Sequence, residues 1–508
     1  MTDLPGWLDP LPDAGQMRAI DAWAIEGQGV PSLDLMERAG TGVARLVAER
    51  APAGRVVVVC GKGNNGGDGL VAARLLREQG REVDVLCVSD PAELRGDAAA
   101  NRDRLPGPPP VAFVSAAALE GAGTVVDALL GTGFSGAPRE PVAGAIEAIN
   151  GAGGDVVAVD VPSGVDASTG EVEGVAVRAG ATATFHSLKL GLCVAPGKGC
   201  AGEVRVVDIG VPPGAPREAD AGLIQPRVVD AIPRRQAGST KFSEGAVLVV
   251  GGSVGLTGAP SMAAEAAQRA GAGYVTVCVP EALNLVFEVR LLEVMSRPLA
   301  GAESGRLGPE ALDPILEACE RADALVLGPG LGRAEGSLEL ARAVARDASL
   351  PMLLDADGLN AHAGHLADLA GREAATVLTP HAGELARLLD TDSRTIEAHR
   401  LRHVREAAEA AQAVVVLKGD DTLVATPGAP VGVSGGGSAA LATAGTGDVL
   451  SGVVGALLAK DLHPFDAACA AVWLHSAAGR RAGRVRGPDS VIARDVIEAL
   501  PRELAESR

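Results

Sequence analysis

The sequence contains no run of eighteen consecutive apolar residues, which is roughly the length that a membrane-spanning helix needs. Its first thirty residues lack the basic start and apolar core of a secretory signal and carry five acidic residues instead. The seven cysteines are scattered and never spaced as Cys-x-x-Cys, which argues against a disulfide framework or a cysteine metal site. We therefore expect a cytoplasmic protein whose thiols stay reduced.

Positive charge is also scarce. The chain has 45 lysines and arginines against 64 acidic residues, for a net charge of −19. This balance argues against nucleic acid or an anionic membrane as a partner. It does not exclude an anionic small molecule, because helix ends and backbone amides bind phosphate whatever the net charge. Only six residues are lysines. Lys62, Lys189 and Lys418 lie in motif segments described below and Lys241 lies shortly before position 245, a placement that favours function, with a solvated surface residue as the alternative for each of them.

The length of 508 residues exceeds what a single core normally serves, so two domains are expected. Residues 211–222 are rich in proline, glycine and charge and are predicted to be the linker. The predicted domains are 1–215 and 222–508. In both, short β-branched runs alternate with glycine-rich loops and helical stretches, which predicts an α/β class with mostly parallel sheets.

The first glycine-rich loop, 61–69, follows a predicted buried strand over 55–60 and precedes a predicted helix over 70–79. Upstream, apolar spacing predicts helices over 16–29 and 32–50. The loop matches G-x-G-x-x-G, so a dinucleotide dehydrogenase is one interpretation. However, Asp68 would put a carboxylate where a pyrophosphate docks. The amides and carboxylate are better suited to sugar hydroxyls or to a hard cation.

Two further strands in this half end in an acid. The strand over 124–127 ends at Asp127, the strand over 155–160 ends at Asp160, and a glycine-containing loop follows each. A single aspartate at a strand end is usually a cap or a turn residue. Because parallel strands present their carboxyl ends at one edge of a sheet, the two acids together with Asn65 and Ser163 favour a ligand site there.

These segments, together with 184–191, resemble the epimerase domain of NAD(P)H-hydrate repair proteins, which interconverts the two epimers of hydrated NADH or NADPH. The resemblance implies a Rossmann-like three-layer fold, a bound potassium ion and Asp160 as the group that handles protons. Implied potassium ligands are Asn65, Asp127 and Ser163. Implied substrate contacts are Asn64, Asn65, Gly66, Gly67, Asp68, Gly131, Thr132, Gly133, Phe134, Ser135, Gly136, Ala137 and Asp160.

Near the C-terminus, the stretch 442–452 contains Gly445-Thr446-Gly447-Asp448 and runs into an apolar segment, 449–459, that is predicted to be a buried helix. Two glycines let the backbone turn tightly and aim N–H groups at one point, next to the positive end of the helix. Such a loop favours a phosphate, and Asp448 could accept a proton from an attacking hydroxyl. An ordinary turn with Asp448 as a helix cap is the alternative.

The second half resembles the ribokinase-like dehydratase domain of the same repair proteins, which phosphorylates the hydrate and then expels phosphate. The resemblance implies magnesium and a nucleotide, with ADP favoured over ATP, and Asp448 as the catalytic base. Implied hydrate contacts are Gly258, Gly330, His381 and Asp448. Implied nucleotide contacts are Lys418, Gly419, Asp420, Asp421, Thr422 and Gly447.

Two other functions stay open from the sequence. One is a small-molecule kinase with a regulatory first half, since its loop chemistry would be nearly the same. The other is a binding protein without activity, against which the intact acids Asp127, Asp160 and Asp448 argue. We expect a homo-oligomer with small-molecule substrates, and neither nucleic acid nor membrane as a partner.

Overall fold

The computed structural model describes residues 4–300 and 305–506. They form two compact units, one comprising Pro10–Ala221 and the other comprising residues 4–9 together with 222–506. Within these described ranges, no helix has the length and apolar character needed to cross a membrane.

The strands in chain order are β1 (Leu8–Pro10), β2 (Val56–Cys60), β3 (Val83–Cys87), β4 (Val111–Ala112), β5 (Thr124–Ala128), β6 (Asp155–Val159), β7 (Ala181–Phe185), β8 (Glu203–Val207), β9 (Ala221–Ile224), β10 (Ala246–Val250), β11 (Tyr274–Pro280), β12 (Met295–Leu299), β13 (Ala324–Leu327), β14 (Met352–Leu354), β15 (Thr376–Leu378), β16 (Val414–Leu417), β17 (Leu423–Ala425) and β18 (Val431–Val433). The α-helices are α1 (Ala14–Ala22), α2 (Ser32–Arg50), α3 (Asn64–Glu78), α4 (Gly96–Asp103), α5 (Val142–Gly151), α6 (Gly197–Ala201), α7 (Gly258–Arg269), α8 (Asn284–Arg290), α9 (Leu312–Cys319), α10 (Glu335–Asp347), α11 (Asp357–Asn360), α12 (Ala382–Leu388), α13 (Ser393–Ala398), α14 (Arg400–Ala411), α15 (Thr446–Ala459), α16 (Pro464–Arg486) and α17 (Ala493–Glu506).

The first unit is a three-layer αβα sandwich. Its seven-stranded sheet has the order β4-β3-β2-β5-β6-β7-β8, and all its pairings are parallel. Strand β2 is entirely buried because both faces of the sheet are covered, by α2 and α3 on one side and α5 on the other. The strand order reverses between β2 and β5, so the loops after these strands flank a crevice of the kind that binds ligands in open α/β sheets.

The second unit is also an αβα sandwich, built on an eleven-stranded sheet of order β1-β9-β18-β17-β16-β15-β14-β13-β10-β11-β12. The strands from β16 to β12 pair in parallel, whereas β17 and β18 are antiparallel. Helices α7, α15, α16 and α17 pack together in one large hydrophobic core. The order reverses between β10 and β13, which predicts a ligand crevice after those two strands.

The beginning of the chain differs from the predicted domain limits, which assigned residues 1–215 to the first domain. Strand β1 lies beside β9 at the edge of the second unit's sheet, and the Trp7 carbonyl accepts a hydrogen bond of 3.1 Å from the backbone of Gln225. The Trp7 ring lies 5.8 Å from the ring of Phe465, and Leu8 is buried in the same core. Apolar side chains too close to the N-terminus to show any periodicity therefore bind this segment to the second unit.

Two helices begin earlier than the sequence predicts. Helix α3 begins at Asn64 rather than at residue 70, and α15 begins at Thr446 rather than at residue 449. In α3 the glycines permit close packing, since a Cβ on Gly66 would lie 2.1 Å from the carbonyl oxygen of Gly61. The predicted helix over 16–29 ends at Ala22 and continues as a π-helical turn, Trp23–Gly27.

Candidate active sites

A cavity of about 1010 Å³ opens at the carboxyl ends of β2 and β5 in the first unit. Of the predicted substrate contacts, the cavity is lined by Asn64, Asn65, Asp68, Gly131, Thr132, Gly133, Phe134, Ser135, Gly136, Ala137 and Asp160. Gly66 and Gly67 are not among the lining residues, and their predicted contact with the substrate stays a prediction. A Cβ on Gly67 would lie 2.7 Å from the Met36 side chain, so these glycines are needed for helix packing.

Asp160 lies directly after β6 and is held from several sides. Its Oδ1 accepts a hydrogen bond of 2.7 Å from the Nζ of Lys189, and its Oδ2 accepts one from the hydroxyl of Thr132. Its backbone has a φ of 65°, a strained left-handed value of the kind found at functional sites. Burial alone would raise the pKa of Asp160, but the Lys189 ammonium and the hydrogen bonds outweigh it and hold that pKa below its usual value. Asp160 is therefore ionised.

Lys189 is almost fully buried, with 1% of its side chain exposed. Its Nζ also donates to the hydroxyl of Thr184 at 2.9 Å and to the carbonyl of Phe185 at 2.7 Å. These three bonds use the full donor capacity of the ammonium group. A buried cation is tolerated here because the Asp160 carboxylate neutralises its charge and each of its three N–H donors has an acceptor.

The three predicted potassium ligands meet around the backbone of Leu130. Asp127 accepts hydrogen bonds from the Ser163 hydroxyl at 2.6 Å and from the Ser163 N–H at 2.8 Å. The Ser163 hydroxyl oxygen accepts from the N–H of Leu130 at 2.9 Å, and the amide of Asn65 donates to the Leu130 carbonyl at 2.8 Å. Burial raises the pKa of Asp127 to about 6, although its hydrogen bonds oppose the rise. Several oxygen atoms thus gather beside the cavity wall.

In the second unit, helix α15 begins behind the Gly445-Thr446-Gly447-Asp448 turn. Gly445 has a φ of 90°, which only glycine adopts readily. The Thr446 hydroxyl donates to the carbonyls of Leu441 at 2.9 Å and Thr443 at 3.0 Å, which fixes the turn. Helix α15 follows at once, so its first N–H groups and its positive end lie at this turn, which also contains Asp448.

Lys418, directly after β16, lies among three carboxyl groups. Its Nζ is 2.9 Å from Asp355 Oδ1 and 3.6 Å from Glu384 Oε2. The second oxygen of Asp355 accepts a hydrogen bond of 2.6 Å from the Ser451 hydroxyl on α15. Burial would lower the pKa of Lys418, but Asp355 and Glu384, with a smaller contribution from Asp448, keep it above its usual value. The lysine is therefore charged and oriented toward the start of α15.

Asp448 completes this group, and its carboxyl makes no hydrogen bond to any residue in the described ranges. Burial, and then the negative charge of Asp355, raises its pKa to about 7, while Lys418 acts in the opposite direction. A carboxyl with a pKa near neutrality can accept a proton and release it again at physiological pH. The geometry favours a proton-transfer role for Asp448 over that of a helix cap, because a capping carboxylate would accept backbone N–H groups.

His381 caps α12 and forms a capping box with Glu384. Its Nδ1 accepts from the N–H of Gly383 at 3.0 Å, while Glu384 Oε2 accepts from the His381 N–H at 2.9 Å. Burial is the largest of the effects that lower the pKa of His381, so the ring is neutral near pH 7. Since Glu384 also contacts Lys418, the histidine lies close to the lysine–carboxylate group.

The predicted nucleotide segment 418–422 is a tight turn. The Thr422 hydroxyl donates to the Gly419 carbonyl at 2.7 Å. The side chain of Asp421 is buried and pairs with Arg400 at 3.0 Å, so it supports the turn from inside. A Cβ on Gly419 would lie 2.4 Å from the Arg400 guanidinium, which leaves room for glycine only. Asp420 likewise accepts a bond of 3.1 Å from the N–H of Gly437.

Gly258 and Gly330 lie at the crevice where the order of the second sheet reverses. Gly258 is the first residue of α7, and Gly330 follows β13 with a φ of 65°. A Cβ on Gly330 would lie 2.3 Å from the carbonyl oxygen of Leu256, in the loop that precedes α7. Helices α7 and α15 in turn pack at Gly452, where a Cβ would lie 2.0 Å from the Ala263 carbonyl oxygen.

Comparison with known proteins identifies the family. A family model described as NAD(P)H-hydrate dehydratase matches residues 247–502, and one described as YjeF-related protein N-terminus matches residues 32–191. The bifunctional NAD(P)H-hydrate repair enzyme of Salinibacter ruber is 42% identical over 99% of this chain and 98% of its own length. That of Moorella thermoacetica is 40% identical over 97% and 96%. The chain belongs to the bifunctional NAD(P)H-hydrate repair enzymes.

A solved relative covers only the second half. The ADP/ATP-dependent NAD(P)H-hydrate dehydratase of Bacillus subtilis, co-crystallised with ATP and Mg²⁺, is 27% identical, with a TM-score of 0.47 over 55% of this chain and 96% of that chain.

Sequence reasoning missed several residues of this repair enzyme's two sites. Asp21, on α1, lines the first cavity, although nothing in its local sequence indicates this. Lys189 was noted as a motif lysine, but its pairing with Asp160 was not predicted. In the second unit, no local pattern indicates that Asp355 pairs with Lys418 or that Ser451 donates to Asp355. His475 on α16 is buried, and burial lowers its pKa to about 4.

Proposed function

We propose that the protein repairs hydrated NADH and NADPH in two steps, with the first unit interconverting the R and S hydrates and the second dehydrating the S form. Membership of the family supports both activities. The observation that carries the second step is the carboxyl of Asp448, which lies beside the charged Lys418 at the start of α15 with its pKa raised to about 7.

The hydrate's hydroxyl is a poor leaving group, and the proposed reaction converts it to a phosphate ester. Asp448 accepts the hydroxyl proton while the hydroxyl oxygen forms a bond to the terminal phosphorus of ADP. The P–O bond to AMP breaks at the same time, and AMP leaves with its electron pair. The N–H groups of 445–447 and the Lys418 ammonium stabilise the charge on the transferring group. The C–O bond then breaks: phosphate takes that electron pair, the ring nitrogen supplies electrons to the carbon, and loss of a ring proton restores the dihydronicotinamide.

In this proposal the remaining predicted residues divide between the two ligands. The residues that contact the hydrate are Gly258, Gly330, His381 and Asp448. The two glycines have no side chains and so leave room for the hydrate in the crevice. Lys418, Gly419, Asp420, Asp421, Thr422 and Gly447 form the nucleotide side, with the buried Asp421 acting through the turn that it supports. ADP is the proposed donor, and a comparison of initial rates with ADP and ATP tests this choice.

Magnesium fits the second site only together with the nucleotide. Within residues 4–300 and 305–506, no three His, Cys, Asp or Glu side chains are arranged to hold a metal ion by themselves. Mg²⁺ is commonly bound by one or two carboxylates together with substrate phosphates and water. Glu384 would supply a carboxylate, and the ion would neutralise phosphate charge.

We assign the first cavity to the hydrated nicotinamide and the oxygen cluster below it to potassium. Asp127, Ser163 and Asn65 would hold the ion together with the Leu130 carbonyl. This donor set fits, because carboxylate, hydroxyl, amide and carbonyl oxygens suit a hard cation. The ion would supply positive charge next to the bound substrate.

We further propose that the enzyme works in the cytoplasm and as a homo-oligomer. None of the seven cysteines, all of which lie in the described ranges, forms a disulfide, which fits a reducing compartment. Sedimentation analysis of the full chain tests the oligomer, and fractionation of cells tests the location.

The test of the function uses the purified full chain with S-hydrated NADH and ADP. We expect the near-ultraviolet absorbance of NADH to return with one AMP and one phosphate formed per NADH. With the R hydrate the same recovery should occur through prior epimerisation. An accumulating phosphorylated product without NADH would instead indicate the alternative, a small-molecule kinase.

A further inference from the structure

Three of the carboxyl groups that line the epimerase cavity, those of Asp160, Asp21 and Asp68, act electrostatically on one another and on the Lys189 ammonium. Asp160 is bound directly to Lys189, whereas Asp21 and Asp68 line the cavity without contacting the lysine through a hydrogen bond. Lys189 is the cation that acts on Asp68, although the lining also includes Glu140 and three further cations: Arg18, Lys62 and Arg139. Burial disfavours the charged form of Asp68 more than that of Asp21, because Asp68 is more enclosed.

Asp68 is more buried than Asp21, the other carboxyl group of this set that makes no hydrogen bond within the described residues. It lies in the second turn of α3 with 8% of its surface exposed, and it lines the cavity. Its carboxyl group makes no hydrogen bond to any residue in the described parts of the chain. A buried carboxylic acid normally finds a partner, so an acid that faces a cavity without one is placed to bond to a ligand there.

The charged groups that act on Asp68 are Asp160, Asp21 and Lys189. Burial is the largest of the effects that raise the pKa of Asp68 well above its usual value, and the charges of Asp160 and Asp21 add to it, while Lys189 opposes them. Burial also raises the pKa of Asp21, which is less enclosed. The pKa of Asp160 is lowered whereas that of Asp68 is raised, and such a divergence between neighbouring carboxyls separates an acid from an anion.

We propose that Asp68 is the general acid of the epimerase, and that Asp160 with Lys189 is a fixed anion–cation pair that orients it and the substrate. The inference rests on the proposed epimerase function. In the hydrate, the hydroxyl-bearing carbon is bonded to the ring nitrogen. The proton of Asp68 passes to the hydroxyl oxygen, the C–O bond breaks, water leaves with its electron pair, and the nitrogen lone pair forms a C=N bond.

The reverse addition completes the inversion. A water molecule adds to the opposite face of the ring carbon, the electrons of the C=N bond return to nitrogen, and the proton released by the added water returns to the Asp68 carboxylate, directly or through the cavity water. No net proton, electron or atom is consumed. Asp68 ends each cycle protonated, which its surroundings favour.

The second active site, which is built from different residues, shows the same division of roles. There Lys418 pairs with Asp355 at 2.9 Å, while Asp448 lacks a hydrogen bond and has a raised pKa. In each unit a lysine fixes one carboxylate, and a second carboxyl nearby is left to exchange protons. This correspondence supports Asp68 rather than Asp160 as the group that moves a proton in the first unit.

The test compares Asp68→Asn, Asp68→Glu and the wild type as full chains, with the exposed Asp34→Asn as the matched control. Epimerisation of a single purified hydrate epimer is followed without nucleotide, so that dehydration does not interfere. Asp68→Asn should lower kcat by about 10²- to 10⁴-fold with a much smaller change in KM. Asp68→Glu should restore part of it, and Asp34→Asn should not differ from the wild type.

A second measurement does not depend on activity. At neutral pH, the infrared difference between wild type and Asp68→Asn should show one protonated carboxyl stretch that is lost in the variant. The wild-type kcat should fall at alkaline pH as Asp68 ionises, and the variant should lose this limb. Near-normal kcat in Asp68→Asn, or the absence of the protonated band, would overturn the assignment. A wild type without epimerase activity would overturn both this inference and the proposed function.

Discussion

Replacing Asp448 with asparagine should make the second unit more stable at pH 8 while it abolishes dehydration. Burial and Asp355 raise the pKa of this carboxyl to about 7, whereas in the unfolded chain it titrates near 4. As pH rises from about 4 to 7, the unfolded state loses its proton first, so the folded state becomes progressively less favoured. Above pH 7 the full cost is present, and asparagine removes it.

The size of the effect follows from the pKa difference. A difference of about 3 pH units, at about 1.4 kcal/mol each, gives about 4 kcal/mol as an upper limit. Because part of the Asp448 side chain reaches solvent, we expect a gain of about 1–3 kcal/mol at pH 8 and almost none near pH 4. Loss of a general base lowers the rate by about 10²- to 10⁴-fold, which corresponds to about 3–5 kcal/mol of barrier.

Two assays check these opposite changes. Hydrogen exchange at the buried amides of α15, measured at pH 4 and pH 8, reports the free energy of opening in the second unit. The return of NADH absorbance from S-hydrated NADH with ADP reports dehydration, and epimerisation should be unaffected. Asp489→Asn, at an exposed site, is the control and should change neither. If Asp448→Asn destabilises α15 at pH 8, or dehydrates at the wild-type rate, the account of this carboxyl is wrong.

Three further predictions concern the first unit. Gly66→Ala should destabilise it by about 1–3 kcal/mol in chemical denaturation, because the new Cβ would lie 2.1 Å from a carbonyl oxygen. The control Gly63→Ala, which places its Cβ in open space, should cost a few tenths of a kcal/mol. Lys189→Met should lower the free energy of unfolding by about 3–5 kcal/mol, because it leaves the buried Asp160 without its partner. In thermal unfolding, the double variant Lys189→Met/Asp160→Asn should recover part of this loss. Equal losses in the two variants would contradict the pairing. Asp127→Ala should remove the dependence of epimerisation on potassium chloride concentration, and an unchanged response would exclude the proposed cation site.

The order of strands and glycine-rich loops could be read from the sequence because buried parallel strands are short apolar runs that end in distinctive loops. The starts of the helices could not. Glycines at 66, 67 and 69 weaken local helix propensity, so the sequence predicts a loop there, yet α3 begins at Asn64. Tertiary packing decides the matter, because only glycine allows α3 to approach the loop after β2 this closely.

The partners of the predicted site residues were beyond sequence reasoning for a different reason. Lys189 reaches Asp160 from a separate loop, and Asp355 reaches Lys418 from a strand two positions away in the sheet. No local pattern encodes such pairings, since they depend on how strands from distant parts of the chain line up. The turn that contains Asp448, for which we propose a catalytic role, in contrast carries its whole sequence signal within a few residues.

The pairings explain how this enzyme obtains acid–base groups near neutral pH from carboxyl groups instead of histidine. An isolated aspartate ionises near pH 4 and would be a poor proton donor at pH 7. Adding a lysine alone would lower the pKa further, as it does for Asp160. When the lysine is already paired with one carboxylate, a second buried carboxyl experiences both desolvation and a nearby negative charge, and its pKa rises, as for Asp448. Burial and the neighbouring carboxylate therefore raise the pKa of the second acid, while the paired lysine opposes them and limits the rise, so replacing the lysine should raise the pKa of that acid further.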